Sequence, residues 1–386
     1  MSIWDRLVGQ PETVQLLQRA VADAREVPVG PGMTHAWLFT GPPGAGRSTA
    51  ALLLAAGLEC DEGGCGSCAN CKDVMRDMHD DVVRFEPQQL QITRDEAASL
   101  IKLAARMPVR GRWSVIIVED ADRLNEVSGN MLLKSIEEPT PHTIWLLCAP
   151  SVEDVLPTIR SRCRVQVLRT PSWRDVAALL ERDGIERSMA AHAARAAQGH
   201  VGRARALATG DETRRHRHEM LRIPLQLNDL PACFAVAADI ASAATEEANR
   251  STAKLDERER QELLQAYGDG ATGVTKARIE RLARGAVKEL EARQKSRRTR
   301  AVRDRLDRSL VDLLSFYRDV LMLQLDTDME LINEEMRPQV AQVAAASTPA
   351  RTRARMDAIE RARRLFDSNA QPQLVLEALT VELARA

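Results

Sequence analysis

Short apolar runs alternate with segments of helical character over the first 168 residues of the chain. The runs that we expect to form buried strands cover residues 36–39, 82–85, 115–118 and 143–147. Between them, Thr93-Arg-Asp-Glu96 matches a capping box, which predicts a helix reaching about Ala105. A second helix is predicted over residues 130–138, where Pro139 stops it. Strands that alternate with helices predict an α/β domain with a parallel sheet, whose ligands lie at the carboxyl ends of the strands.

The remainder of the chain has helical patterning throughout. Residues 169–211 predict a small helical unit, and residues 212–386 predict a larger all-α domain. Its charged stretch at residues 246–300 is interrupted by a glycine-rich break at residues 268–273. Apolar residues recur every three or four positions along a core-facing stripe made of Leu306, Leu310, Leu313, Tyr317 and Val320. We therefore expect three domains, at residues 1–168, 169–211 and 212–386.

A glycine-rich loop follows the first predicted strand, at residues 41–49. Its spacing is that of a phosphate-binding P-loop, G-x-x-x-x-G-K-[ST], with arginine in the lysine position. Backbone N–H groups of such a loop cradle phosphate oxygens at the positive end of a helix. The candidate phosphate-binding residues are Gly41, Gly44, Gly46, Arg47, Ser48 and Thr49.

Acidic residues end the third predicted strand, at Glu119 and Asp120. P-loop folds hold magnesium and polarise water at this edge of the sheet. A cluster of solvated charges is the alternative explanation of these two residues.

Four cysteines lie within twelve residues among glycines, in the pattern Cys60-x4-Cys65-x2-Cys68-x2-Cys71. This spacing suits tetrahedral thiolate coordination of one Zn²⁺ ion, and a closed four-cysteine site is structural rather than catalytic. Unrelated free thiols or a disulfide pair are the alternatives.

Composition restricts the functional classes further. The 386-residue chain carries a net charge of −1, so contact with nucleic acid must be local. The basic run at residues 293–308 is a candidate for such contact, although a solvated helix face explains it equally. No apolar run reaches about 18 residues and no apolar signal segment opens the sequence, so we expect a cytoplasmic protein with no membrane contact and with reduced cysteines.

Four features occur in a specific order: the sequence HAWLFTGPPG at residues 35–44, the cysteine module, LLKSIEEP at residues 132–139 and SRC at residues 161–163. This combination resembles the AAA+ subunits of bacterial sliding-clamp loaders, within the DNA polymerase III holoenzyme. The resemblance implies an AAA+ P-loop domain, a small helical lid and an all-α C-terminal collar. Its motifs cover roughly residues 3–208.

The resemblance also implies partners and a mechanism. Clamp-loader subunits form a hetero-pentameric ring with gamma/tau and delta subunits, and load the sliding clamp onto primer–template DNA. In the family, the arginine of the SRC motif acts as an arginine finger in a neighbour's ATP site. Here that residue is Arg162, whose guanidinium can grip phosphate oxygens bidentately.

Several positions depart from the pattern of active family members. Arg47 replaces lysine, Glu119 and Asp120 reverse the usual order, and the polar sensor falls near Ala149 or Pro150. The nucleotide-sensing arginine of the lid falls near Gly202. These departures imply an accessory subunit that can bind ATP or ADP without productive hydrolysis. An ATP-hydrolysing gamma/tau-type subunit and a zinc-dependent nucleic-acid-binding protein remain as alternatives.

Overall fold

The computed structural model describes residues 2–87, 89, 91–267, 276–367 and 370–385, the side chains of residues 276–282 and 367 excepted. Contacts divide the chain into two compact units, Met1–Thr209 and Gly210–Ala386. The boundaries expected at residues 168 and 211 stay predictions. The glycine-rich break at residues 268–273 lies outside the described residues.

The first unit contains a parallel sheet of five strands, which confirms the predicted α/β fold. The strands are β1 (Ala36–Thr40), β2 (Val82–Phe85), β3 (Ser114–Val118), β4 (Thr143–Ala149) and β5 (Arg164–Val167). Their spatial order is β2-β3-β4-β1-β5, and every neighbouring pair is parallel. The four expected strands are all present. The edge strand β5 was not predicted, because its sequence Arg-Val-Gln-Val is largely exposed and forms no apolar run.

Helices cover both faces of the sheet. They are α1 (Pro11–Asp23), α2 (Arg47–Glu59), α3 (Ala69–Met75), α4 (Arg94–Ala104), α5 (Glu126–Glu137) and α6 (Pro157–Arg160). Strand residues alternate between the faces. In β1, Trp37 and Phe39 join the core with α1, α2 and α3, whereas Ala36 and Leu38 join the core with α4, α5 and α6. The sheet is therefore packed against apolar cores on both faces, which position the loops at its carboxyl edge.

Local capping decides where two of these helices begin. Thr93 Oγ1 accepts the backbone N–H of Glu96, and Glu96 Oε2 accepts the backbone N–H of Thr93 at 2.7 Å, which confirms the predicted capping box. Helix α5 begins at Glu126, four residues earlier than predicted. Asn125 provides the reason, because its Oδ1 accepts the backbone N–H of Ser128 at 2.9 Å.

Three further helices complete the first unit. They are α7 (Trp173–Arg182), α8 (Arg187–Ala196) and α9 (Val201–Thr209). They pack around a separate alanine-rich core that includes Ala190, Ala193, Ala194 and Leu180. A Ser172 cap on the backbone N–H of Asp175 starts α7.

The second unit is helical over its described residues. Its helices are α10 (Asp211–Arg222), α11 (Leu230–Ala266), α12 (Lys276–Gln324), α13 (Arg337–Ala345), α14 (Pro349–Asp367) and α15 (Pro372–Arg385). All five residues of the predicted stripe on α12 are buried in its core. The all-α character predicted for the C-terminal region is therefore confirmed.

Within the second unit, the charged parts of α11 and α12 pair with each other. Arg297 on α12 bonds to Asp256 and Glu259 on α11, and Arg305 forms an ion pair with Glu247. This internal pairing favours a charged helix face, rather than a DNA-contacting run, as the explanation of residues 293–308.

A buried polar network lies between α12 and the segment that follows it. Asp319 is fully buried and accepts the backbone N–H groups of Ile332 at 3.0 Å and Asn333 at 2.7 Å. Arg217 reaches Asp312 through an ion pair of 3.2 Å, with both side chains almost completely buried. Buried charges persist only when they are paired in this way. Among the described residues, no helix is long and apolar enough to cross a bilayer.

Candidate functional site

The phosphate loop connects β1 to α2 at the carboxyl edge of the sheet. Gly44 and Gly46 have φ values of +88° and +95°, which favour glycine, and Gly46 precedes the first residue of α2. A Cβ atom on Gly44 would lie 2.6 Å from the Cα atom of His200. Both glycines are therefore required by this geometry. The loop has the strand–glycine–helix context that a phosphate cradle needs.

A cavity of about 400 Å³ opens beside this loop. Its lining includes loop residues 43–49, the N-terminal residues 6–8 and residues 200–202 at the start of α9, together with Met75, Pro171 and Arg205. Arg47 is one of the lining residues, and its Nη1 is buried without a hydrogen-bond partner among the described residues. A buried donor without a partner is costly, and a phosphate oxygen would satisfy it. The cavity thus suits a phosphate-bearing ligand.

Glu119, at the end of β3, is held by two side chains. Its Oε2 accepts a hydrogen bond from the Ser48 hydroxyl at 2.7 Å, and its Oε1 accepts one from Arg84 Nε at 3.0 Å. The guanidinium already compensates the charge that would attract a cation. These residues therefore do not fit the magnesium ion that P-loop folds hold at this edge of the sheet.

The neighbouring carboxyl groups of Asp120 and Asp122 are also poorly suited to bind a metal ion. Asp120 has a left-handed backbone, with φ of +48°, and its carboxylate lies 3.5 Å from Arg123 Nε. Burial, followed by the nearby Asp120 carboxylate, raises the pKa of Asp122 above its ordinary value.

Arg84 is a site residue that the sequence analysis missed. It is the third residue of the four-residue strand β2, the neighbour of β3, so its side chain reaches the carboxyl edge of the sheet. The position of a charged residue near the end of a predicted parallel strand was the signal that could have identified it.

The two sensor positions carry no side-chain donor. Ala149, at the end of β4, is completely buried, and the carbonyl of Pro150 accepts the backbone N–H of Gly41 at 3.1 Å. Gly202 lies in the first turn of α9, beside the cavity. Of the positions that depart from the family pattern, Arg47 and Gly202 line the cavity, whereas Glu119, Asp120, Ala149 and Pro150 are not among its lining residues.

The four cysteines come together beyond the other end of α2. Their Sγ atoms all lie within 4.8 Å of one another, and both Cys65 and Cys68 place Sγ 3.7 Å from that of Cys60. Zn–S bonds of about 2.3 Å in a tetrahedron give S–S separations of about 3.8 Å. Cys71 completes the set from the first turn of α3. The cluster can hold a metal ion.

Hydrogen-bond donors surround these sulfur atoms. The Ser67 hydroxyl, together with the backbone N–H groups of Ser67 and Cys68, lowers the pKa of Cys65 to about 6. Burial raises the pKa of Cys71. The backbone N–H of Cys65 donates to Cys60 Sγ, and that of Cys71 donates to Cys68 Sγ, at a distance of 3.4 Å in each case. Such N–H···S contacts stabilise thiolates, the form in which cysteine binds a metal ion.

Arg162 lies in the exposed turn between α6 and β5. Its Nη1 donates to the carbonyl of Thr158 at 2.7 Å and contacts the Ser161 hydroxyl at 3.2 Å. Its other nitrogens bond to the carboxylate of Glu137, the last residue of α5. The Arg162 side chain is 35% exposed. The guanidinium is therefore partly exposed and paired with a carboxylate of its own chain. Glu137, like Arg84, was not singled out by the sequence analysis.

The comparisons with known proteins concern mainly the first unit. The sequence model of the family described as "DNA polymerase III, delta subunit" matches residues 9–172. DNA polymerase III subunit delta' of Bacillus subtilis is 33% identical over 158 residues, which are 40% of this chain and 46% of that protein. DNA polymerase III subunit gamma/tau of Mycobacterium tuberculosis is 35% identical over 182 residues, 46% of this chain and 30% of that protein.

One solved structure aligns along most of the chain. It is a gamma subunit-related protein of DNA polymerase III from Thermotoga maritima, with a TM-score of 0.42 and 15% identity over 96% of this chain and 98% of that one. In the two sequence comparisons described above, by contrast, the match covers less than half the length of each curated relative. Over its α/β part, the predicted resemblance to the clamp-loader subunits of DNA polymerase III, the delta-prime subunit among them, is confirmed.

Proposed function

We propose that this chain is an accessory subunit of the delta-prime type in a bacterial DNA polymerase III clamp loader. In this role it donates Arg162 to the ATP site of a neighbouring subunit and holds the ring together. Its partners are gamma/tau and delta subunits in a hetero-pentameric ring, with the sliding clamp and primer–template DNA bound by the assembled complex. The loading of the clamp is driven by ATP hydrolysis in the neighbours.

One contrast between two sites carries this proposal. Arg162 is presented at the surface on a short turn, within reach of another molecule. In the chain's own site, Glu119 is held by Ser48 and Arg84, and the expected sensor positions, Ala149, Pro150 and Gly202, have no side chain that can donate a hydrogen bond. Arg162 is therefore the group with which this chain can contribute most to catalysis, since an arginine finger that reaches a transferring phosphoryl group contributes on the order of 10³–10⁵ in rate.

The phosphate loop then serves as a structural element with a residual ability to bind nucleotide. The cavity beside it and the buried donor of Arg47 support ATP or ADP binding without productive hydrolysis. Hydrolysis needs a group that positions water and a cation that neutralises developing charge. The ion pair between Glu119 and Arg84 argues against both.

The cysteine cluster takes a structural Zn²⁺ ion under this proposal. Cys60, Cys65, Cys68 and Cys71 supply four thiolates, which close the coordination shell and leave no open position for substrate. The zinc ion would hold residues 60–71 together. The close approach of the four Sγ atoms supports this ion over the alternative of four unrelated thiols.

Reconstitution tests the proposal. Gamma/tau and delta subunits of the same organism would be combined with their sliding clamp and primed DNA, with and without this chain. We expect clamp loading to require the chain, while the chain alone shows no ATP turnover above background. Clamp loading of equal rate without the chain would contradict the accessory role.

The same purified chain separates the alternatives. ATP turnover by the isolated chain that disappears in Arg47→Ala would favour a gamma/tau-type ATPase. Tight binding of the isolated chain to primed DNA, with steep salt dependence, would favour a nucleic-acid-binding protein. We expect no tight DNA binding, because Arg297 and Arg305 of the basic run are paired within the chain. We expect no ATP turnover, because Glu119 is paired with Arg84.

A further inference from the structure

The N-terminal segment, residues 2–8, is attached at its start to the loop between the first two cysteines. The backbone N–H of Ile3 donates to the carbonyl of Gly64 at 3.2 Å, and the Ser2 hydroxyl donates to the same carbonyl at 3.1 Å. The indole N–H of Trp4 donates to the carbonyl of Gly63 at 3.0 Å. Two consecutive carbonyl groups of the cysteine module therefore accept hydrogen bonds from three donors of the segment.

The contact between the segment and the module is closely fitted. Gly63 and Gly64 have φ values of +75° and +110°, and a Cβ atom on Gly64 would lie 2.8 Å from both Ile3 and Trp4. A Cβ atom on Gly57 of α2 would also lie 3.0 Å from the indole ring of Trp4, at Cζ2. Because Ile3 and Trp4 are almost completely buried, the segment has no room to shift while the loop keeps this shape.

The same segment reaches the phosphate loop at its other end. Leu7 is buried, and its Cδ1 lies 3.1 Å from the position of a Cβ atom on Gly46. Residues 6–8 line the cavity beside the phosphate loop. Helix α2 also connects the phosphate loop to the cysteine module, because it begins at Arg47 in the loop and ends at Glu59, next to Cys60. Its 13 residues span about 20 Å at 1.5 Å per residue.

We infer that the cysteine cluster, when it holds its metal ion, anchors the N-terminal segment and through it fixes one wall of the phosphate-loop cavity. The physical reason is that the carbonyls of Gly63 and Gly64 belong to a glycine-rich loop whose side-chain contacts with the core come from its cysteines: Cys60 and Cys71 are buried in that core, and Cys65 and Cys68 pack against it. Closing the loop on a metal ion would fix these four side chains relative to one another, as metal ions do in small modules. Without the ion, the loop gains conformational freedom and the two carbonyls lose their fixed positions. The inference rests on the metal site proposed above.

Hydrogen–deuterium exchange on the full chain tests this coupling without any nucleotide. Exchange would be compared between the zinc-loaded chain and the chain after chelation. We expect the amides of residues 3–8 and 44–48 to exchange at least about tenfold faster without zinc, the factor that about 1.4 kcal/mol of local stability represents. The amides of β3, in the centre of the sheet, should keep their protection.

A variant separates anchoring from metal binding. Trp4→Ala removes the indole contact with Gly63 but leaves all four cysteines, so it should retain one equivalent of zinc and still show the faster exchange at residues 44–48. Leu132→Ala is the matched control, because it removes a buried side chain from the opposite face of the sheet and should leave residues 3–8 protected.

The possible failures are distinguishable. A chain that takes up no zinc would contradict the metal site. A zinc-loaded chain whose residues 3–8 exchange at the same rate after chelation would overturn the anchoring inference alone. If chelation also exposes β3, the Trp4→Ala variant is the deciding test, because unchanged exchange at residues 44–48 in that variant would overturn the inference. A chain that binds no nucleotide would contradict only the nucleotide proposal.

Discussion

Replacing Arg162 by alanine should separate the stability of the chain from the activity of the complex. The substitution removes a guanidinium that bonds to Glu137 and to the carbonyl of Thr158 at 2.7 Å. Both side chains of the ion pair are more than one-third exposed, at 35% and 41%. Solvent-exposed pairs contribute about 0–1 kcal/mol to the free energy of unfolding. We therefore expect Arg162→Ala to lower the melting temperature by at most about 4 °C.

The effect on the assembled clamp loader should be much larger. If Arg162 acts as the finger, its loss should slow hydrolysis at the neighbouring site by about 10³, which corresponds to about 4 kcal/mol of transition-state stabilisation. The assay is single-turnover ATP hydrolysis by the reconstituted complex with clamp and primed DNA, with assembly checked by size-exclusion chromatography. Assembly should be unaffected, because the exposed turn contributes little to the fold.

Glu137→Ala is the matched control, since it breaks the same ion pair but keeps the guanidinium. Its stability should fall as little as that of Arg162→Ala, while its complex should hydrolyse ATP at close to the original rate. Equal losses of hydrolysis in the two variants would mean that the ion pair is what the site needs. Unchanged hydrolysis in Arg162→Ala would refute the finger role.

Three further predictions concern the interior and the metal site. Asp81 accepts the backbone N–H groups of residues 109–111, and although burial raises it, these donors hold the pKa of Asp81 below its ordinary value. Asp81→Ala should therefore cost about 3 kcal/mol at pH 7 by urea unfolding. Because the pKa of Asp81 is lower in the folded chain than in the unfolded chain, this difference should begin to shrink once the pH falls below the unfolded value of about 4 and should keep shrinking towards the lowered folded value. A difference that does not change at all as the pH falls below about 4 would refute the assignment. Asp319→Ala leaves buried N–H groups of residues 332–333 without an acceptor and should cost about 3 kcal/mol, whereas a loss below about 1 kcal/mol would show that the network is not needed. Cys68→Ser should reduce bound zinc from one equivalent to well below one, measured by metal analysis after dialysis, and full retention would contradict four-thiolate coordination.

Features that depend on neighbours in sequence were predicted correctly. The runs at residues 115–118 and 143–147 are apolar enough to be recognised as buried strands, and the Thr93–Glu96 capping box acts over three residues. The cysteine spacing brings four thiols together because the loop that carries them is short and rich in glycine. Each of these signals lies within about a dozen residues of chain.

Features that depend on contacts between distant residues could not be predicted in the same way. Strand β5 has no apolar run of its own and exists because β1 offers a free edge to pair with. Glu137 meets Arg162 across 25 residues of sequence, and Arg84 meets Glu119 across 35, because their elements end side by side.

The sequence by itself therefore determined the α/β fold, the phosphate loop with its arginine, and the metal-binding spacing of the cysteines. Only the tertiary structure decided how those parts are used. It brought the Arg84 guanidinium to the Glu119 carboxylate, which is therefore already paired. It also packed Trp4 against the cysteine module and Leu7 against the phosphate loop. The physical reason is that a local pattern is read from propensity and periodicity, whereas the partner of a charged or buried side chain is chosen by how strands and helices pack.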